Sequence, residues 1–334
     1  HRVERVINWH TRSDIHQVGE VEAKEILRAY DFKILDGQLA RTPDEAVEVA
    51  NRIGYPVVLK ISSPEIIHKS DFGGVRINLA NSEQVRDAFA WAIKFDDQAL
   101  VQEFVAGHTY RLLVVNYRFV AAAELAPPTV TGDGRRTLRE MVEHLNRQPD
   151  RGVGDKARLS RVEIDELTLR LLSGRGYTPE SVPHAGEAVP LKVSGSLRGG
   201  GSARDVTGEV HPFNRFLAER AAHVIGLNIA GLDVVAPTLK ESLLDTGGVF
   251  IEANAAPDFR MHLRPTKGSA RPVAKPVVDM LFPAGSQTRI PVFSVTGTLG
   301  KTTTVHLLAH CLRLARRQVG FTCTEGLCIG DNWL

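Results

Sequence analysis

Two acids and an amide stand where apolar side chains would be expected. Asp233 interrupts the run Gly231-Leu232-Asp233-Val234-Val235, and Glu252 and Asn254 interrupt Phe250-Ile251-Glu252-Ala253-Asn254. Both runs have the aromatic and β-branched character of strands. Residues two apart on a strand leave the same face, so Glu252 and Asn254 point together. A carboxylate among apolar strands is costly to desolvate unless a cation compensates it. A salt bridge would serve for Asp233 alone. Two carboxylates and an amide oxygen form a hard donor set matched to magnesium, so Asp233, Glu252 and Asn254 are the candidate metal ligands. Magnesium there would neutralise nucleotide phosphates while a phosphoryl group moves in line to a carboxylate oxygen. A fold that uses this set must bring all three residues to one side of a sheet.

The rest of the chain alternates helices and strands. Residues 20–30 place Val21, Ile26, Leu27 and Tyr30 near one face of a helix, and Phe32-Lys33-Ile34-Leu35 reads as a short strand. Thr42-Pro43-Asp44-Glu45 starts a helix, with Thr42 as N-cap, Pro43 in the first turn and acids facing the dipole. Gly54 ends it. A buried strand (55–61), a turn-rich segment (62–74), the strand 75–80, a helix capped at 81–83 and a strand over 99–105 follow. Residues 110–116 and 118–125 pair as a hairpin about Asn116-Tyr117. Between 126 and 160, proline, glycine and charge surround one helix (137–147). Gly195 to Gly201 is a glycine-rich loop. Phe213, Phe216, Leu217, Ala221, Val224 and Ile225 trace an apolar helical stripe.

Three earlier pieces suit a nucleotide. Lys60, near the end of a Val/Leu strand, projects an ammonium from a rigid support, although a lysine that only snorkels to water fits that position too. The loop after it holds His68, Lys69, Gly73 and Gly74, whose glycines let the backbone approach a phosphate; an ordinary surface turn is the other reading. The strand end Val101-Gln102-Glu103-Phe104-Val105 offers main-chain groups, at Val105 among others, to an adenine edge, with Glu103 as an acceptor. Arg111 starts the next strand, placed to reach an anion.

In this order the parts resemble the ATP-grasp superfamily and, within it, the cyanophycin synthetases, which build an arginine–aspartate polymer. The stretches that carry the likeness are LVVNYRFVAAAELAPPTVTGDGRRTLREMVEHLNRQPDRG, VIGLNIAGLDVVAPTL, GVFIEANAAPDFRMHLRPTKG and PVVDMLFPAGSQTRIPVFSVTGTLGKTTT. The resemblance implies an α/β (α+β) ATP-grasp fold over 16–285, after a linker over 1–15, and then a truncated P-loop α/β segment of Mur-ligase type over 286–334. It implies ATP and magnesium as cofactors and an amino acid or peptide polymer as substrate, in a cytoplasmic enzyme with room for a homo-oligomer in the full-length protein. Lys60, Glu103 and Arg111 would serve ATP and the acyl-phosphate. The loop 196–201 would line the acceptor side, with Lys192 and Arg198 on carboxylates or transferred phosphate. The segment 55–79 is closer to ADP-forming acyl-CoA synthetases, so such a subunit is an alternative, and a catalytically dead nucleotide-binding remnant is another. His262, beside the metal strand, is the one further histidine worth testing for substrate contact.

Thr296-Gly297-Thr298-Leu299-Gly300-Lys301-Thr302-Thr303 is a phosphate-loop motif, expected after a strand (291–297) and opening a helix. Gly297, Gly300, Lys301, Thr302 and Thr303 are its candidate phosphate and magnesium contacts. The chain is expected to be a piece of a longer protein, its last segment unstable alone and exposing Leu307, Leu308 and Leu312.

Composition excludes other classes. The balance of 41 basic and 39 acidic residues gives no basic face for nucleic acid. No apolar run reaches the ~20 residues of a membrane helix. Cys311, Cys323 and Cys328 make no disulfide framework, and Cys323 with Cys328 lacks the paired spacing of a zinc site.

Overall fold

The computed structural model describes residues 28–30, 32–62, 74–152, 157–286 and 288–333. They form two compact units, divided between Leu281 and Phe282. The first unit opens with β1 (Gly37–Ala40), α1 (Pro43–Ile53), β2 (Val57–Ile61), β3 (Val75–Leu79), α2 (Ser82–Ala92) and β4 (Ala99–Glu103). It continues with β5 (His108–Val115), β6 (Arg118–Ala126), β7 (Thr129–Thr131), α3 (Leu138–Asn146), β8 (Arg151–Gly152), β9 (Leu159–Ser160) and α4 (Glu166–Ser173). Then come β10 (Ala188–Pro190), β11 (Ser202–Asp205), α5 (Pro212–Ile225), β12 (Ile229–Ala236), α6 (Leu243–Thr246), β13 (Val249–Asn254), α7 (Arg260–Leu263) and α8 (Ala274–Leu281).

A four-stranded antiparallel sheet, ordered β1-β4-β2-β3, carries α1 and α2 on one face. Val57, Leu59, Ile61 and Val101 pack there against Val49, Val85 and Phe89. Both helices begin as the sequence directs. The Thr42 hydroxyl accepts from the Glu45 amide at 3.2 Å, and the Asn81 side chain accepts from Gln84 at 3.0 Å.

A five-stranded antiparallel sheet follows, ordered β11-β6-β5-β12-β13. The β5–β6 hairpin turns at Asn116 and Tyr117, both left-handed. Alternation splits β5 between two faces. Tyr110, Leu112 and Val114 join Leu232, Val234 and the alanines of α5 in one core, while Leu113 and Val115 pack with Ala121 and Val273 on the other face. A third, smaller core gathers Leu138, Met141, Leu172, Val189 and Leu191.

Several expectations change. Residues 32–35 are not a strand; the pairing segment is β1, further on. Phe32 and Leu35 are buried as irregular chain, and Phe32 meets Phe250 edge to face at 6.1 Å, so their apolarity serves packing rather than a ladder. The helix expected over 20–30 lies outside the described residues up to 27. On α5, Phe216 and Ile225 are exposed, and Asn214 is buried in their stead. Its amide donates to the carbonyls of Leu239 and Glu241 and accepts from the Leu243 amide, pinning that connection to the helix.

The second unit contains α9 (Lys301–Leu314) and an antiparallel sheet of β14 (Gly320–Cys323), β15 (Gly326–Ile329) and β16 (Asn332–Trp333). The strand expected over 291–297 does not form: β14 to β16 pair with one another, and no described strand pairs with these residues. Val292 and Phe293 are accordingly exposed. Leu307 is exposed, and Leu308 and Leu312 are half-buried. No described helix is long and apolar enough to cross a membrane.

Candidate active site

One row of register partners crosses the five-stranded sheet. Asp205 of β11 pairs with Ala123 of β6, Ala123 with Arg111 of β5, Arg111 with Asp233 of β12, and Asp233 with Glu252 of β13. Register partners share a face, so all five side chains leave the side opposite α5. Asn254 lies two residues beyond Glu252, opposite Gly231. The three candidate metal ligands therefore do lie on one side of one sheet. A β-bulge at Ile251 sets this arrangement, because Phe250 pairs with Val234 and Glu252 pairs with Asp233.

Arg111 grips Asp233 through two parallel hydrogen bonds, Nε to Oδ1 and Nη2 to Oδ2, the latter 2.9 Å. Only 14% and 11% of the two side chains is exposed, so this is a largely desolvated pair. Burial pulls the Arg111 pKa down. The hydrogen bond and charge of Asp233, aided by Glu252 and Asp258, outweigh it and leave the guanidinium above its ordinary value. Gly231 makes room: a Cβ there would lie 2.6 Å from Pro257 Cβ and 3.1 Å from Arg111 Cδ. Each carboxylate oxygen of Asp233 keeps a further lone pair beside its Arg111 bond. The Asn254 amide nitrogen donates to the Gly231 carbonyl at 3.5 Å, which leaves its oxygen for another partner. Hard oxygen donors on one face fit a magnesium ion.

Three groups at this face were not singled out as ligands from the sequence. Burial raises the Asp205 carboxyl, but Arg271, with Nη2 at 2.6 Å, and the Thr207 hydroxyl outweigh it and hold it ionised. Asp258 is lowered on balance, burial opposing its bonds to Arg260 and the charge of Arg198. His262, only 2% exposed, has no hydrogen-bond partner on either ring nitrogen among the described residues. Burial and then the charge of Arg111 push its pKa down to about 4, so the ring is neutral. The alternation Ala203–Asp205 in Ser202-Ala203-Arg204-Asp205 was the available signal for Asp205; only pairing to β6 gives it meaning.

Other predicted residues fall in different places. Lys60 leaves the helix-free face of the four-stranded sheet, on the same side as Leu100 and the buried Gln102. Glu103 pairs with Val57 and so leaves the opposite, helix-covered face. Gly74 is buried, and its carbonyl accepts from Ile61 at 2.9 Å. Lys69 and Gly73, with His68, lie outside the described residues. Val105 is half-buried in the connection to the second sheet. That connection closes at Gly107, whose added Cβ would lie 2.6 Å from the Ala236 backbone. Arg198 lies near enough for its charge to help lower the Asp258 carboxyl. Lys192 pairs with Asp165, the N-cap of α4, so its ammonium already has a structural partner. The loop glycines answer to packing: a Cβ on Gly200 (φ +86°) would meet Val162 at 2.6 Å, and one on Gly201 would meet the Gly195 carbonyl at 2.4 Å.

In the second unit, Gly297 (φ +152°) and Gly300 (φ +77°) shape the loop before α9. Lys301 Nζ donates to the carbonyls of Gly297 at 2.7 Å and Thr298 at 3.2 Å, folding the loop about its own lysine. Thr302 meets Thr324 at 3.3 Å, and Thr303 is exposed.

A helix-backed four-stranded sheet, joined to a five-stranded sheet that bears this acid row, is the ATP-grasp fold. The model of the ATP-grasp domain matches residues 11–106. A bifunctional glutathione synthetase from Pasteurella multocida superposes with a TM-score of 0.54 at 27% identity, covering 79% of this chain and 36% of that one. The chain is 41% identical over 285 residues to the cyanophycin synthetase of Geminocystis herdmanii, covering 85% of this chain and 32% of that relative. It is 40% identical over 309 residues to the cyanophycin synthetase of Trichormus variabilis, covering 92% and 34%. The likeness to cyanophycin synthetases read from the motifs therefore holds, and the chain spans about a third of the length of these curated relatives.

Proposed function

We propose that residues 16–285 form an ATP-dependent carboxylate–amine ligase domain that makes an acyl-phosphate and passes it to the amine of an amino acid, as in cyanophycin synthesis. One observation carries the reading: Arg111, Asp233 and Glu252 are register partners on one sheet face, with Asn254 beside them. Asp233, Glu252 and Asn254 would hold magnesium, which when bound supplies charge neutralisation at the β- and γ-phosphates. Arg111 is oriented by Asp233 and keeps its charge, so it suits an anionic acyl-phosphate. Lys60, Gly74 and the main chain at Val105 would receive the nucleotide, with Glu103 at the edge of that site. Arg198, and Lys192 in exchange for Asp165, would meet the carboxylate substrate. Residues 286–334 are the beginning of a Mur-ligase-like P-loop domain in this reading. The three unbridged thiols support a reducing, cytoplasmic setting.

The test is ADP release by the chain supplied with ATP, magnesium, aspartate and an aspartate–arginine primer, set beside CoA with acetate. Release that needs primer and aspartate is expected, and Glu252→Gln should reduce it by about 10²–10³-fold while leaving folding intact, since Glu252 is exposed. Release driven by CoA and acetate would overturn the assignment.

A further inference from the structure

The second unit brings together three side chains that no motif connects. His306 stands one turn into α9, Cys323 ends β14 and Glu325 sits in the turn to β15. Their ligating atoms all lie within 4.8 Å of one another. His306 Nε2 is the common point, 3.8 Å from Cys323 Sγ and 3.2 Å from Glu325 Oε2. One imidazole nitrogen carries at most one proton, so it cannot donate to both at once. A cation between them would satisfy all three.

The spacing identifies the kind of cation. Tetrahedral zinc, with bonds of about 2.3 Å to sulfur and about 2.0–2.2 Å to nitrogen and oxygen, sets S and N about 3.6 Å apart and N and O about 3.4 Å apart. The two separations in the structure sit near these edges. A thiolate with an imidazole selects zinc over magnesium, so the cluster is chemically distinct from the hard-oxygen row of the first unit. The ring of His306 is also held in orientation. Phe321 packs edge-on to it at 5.0 Å, and Trp333 lies 6.0 Å away.

We propose that His306, Cys323 and Glu325 form a zinc site with an open fourth position, which joins the β14–β15 turn to α9. On binding, the Cys323 thiol proton passes to solvent as the zinc–sulfur bond forms, and the ion gives up water for each protein ligand. The Thr302–Thr324 contact already lies between the same two elements, so the ion would reinforce an existing contact.

The experiment uses the whole chain. Zinc is titrated against a chromophoric chelator in excess magnesium, and cobalt(II) is added separately to read thiolate-to-metal charge transfer. One zinc per chain is expected, unaffected by magnesium, together with a charge-transfer band in the cobalt form. Cys323→Ser should abolish the band and weaken zinc by more than the roughly 10–100-fold that outer-shell changes cost. Cys311→Ser and Cys328→Ser should leave both unchanged. Absence of the band in the unaltered chain overturns the proposal whatever the variants do, as does a band that survives Cys323→Ser.

Discussion

The acid row of the five-stranded sheet and the glycine loop before α9 are the two places where we propose that this chain meets phosphate, and they are made by different means. The row uses side chains: a desolvated Arg111–Asp233 pair fixed by pairing between strands more than a hundred residues apart. The loop uses backbone and one lysine, all local in sequence and largely exposed. A site made by strand register inherits the stability of the sheet. A site made by a local loop can keep its shape with little support, as residues 296–303 do although the expected strand before them is irregular.

Substitutions can break this contrast. The largest effect is expected from Arg111→Ala, which leaves Asp233 buried without its cation. It should cost about 3–5 kcal/mol in urea unfolding, and a double Arg111→Met, Asp233→Leu variant should recover most of that. A pH series comes next. Burial holds the His262 pKa at about 4, against an ordinary 6.5. Between those values the unfolded chain binds a proton that the folded ring refuses, so stability falls as pH drops from 6.5 to about 4. The loss approaches about 3 kcal/mol, and His262→Leu should flatten the profile there. Gly231→Ala should cost about 1–3 kcal/mol, since Pro257 must move, and it should slow ligation by displacing Arg111. The smallest effect is expected from Lys301→Met, within about 0.5 kcal/mol of the parent and without change in primer-dependent ADP release. A large loss there would mean that the loop is no independent local feature.

Much of the site was legible because its signals were local. Asp233, Glu252 and Asn254 stood out as polar residues in apolar strands, and both helix caps near the start followed from Thr42 and Asn81. What escaped was set by partners distant in sequence. Asp205 joins the row only through β6, Asn214 is buried because it pins the chain at 239–243, and Lys192 is matched to Asp165. Residues 32–35 have a strand's composition but use it for packing, and 291–297 has a strand's sequence but pairs with no described strand. Glu103 shows the converse, since it closes its strand as expected but alternation turns its side chain away from that of Lys60.

The bulge at Ile251 works as a frame shift in the strand. Strict alternation would send residues 250 and 252 to one side. The extra residue lets Phe250 pack among the apolar residues beneath α5 while Glu252 faces the opposite way, beside Asp233. Were Ile251 drawn into the ladder as an ordinary paired residue, the acid would turn into the oily layer; deleting it would leave Phe250 and Glu252 adjacent and still on opposite faces. What this face requires at position 251 is therefore that the residue there stay out of the pairing, whatever its identity.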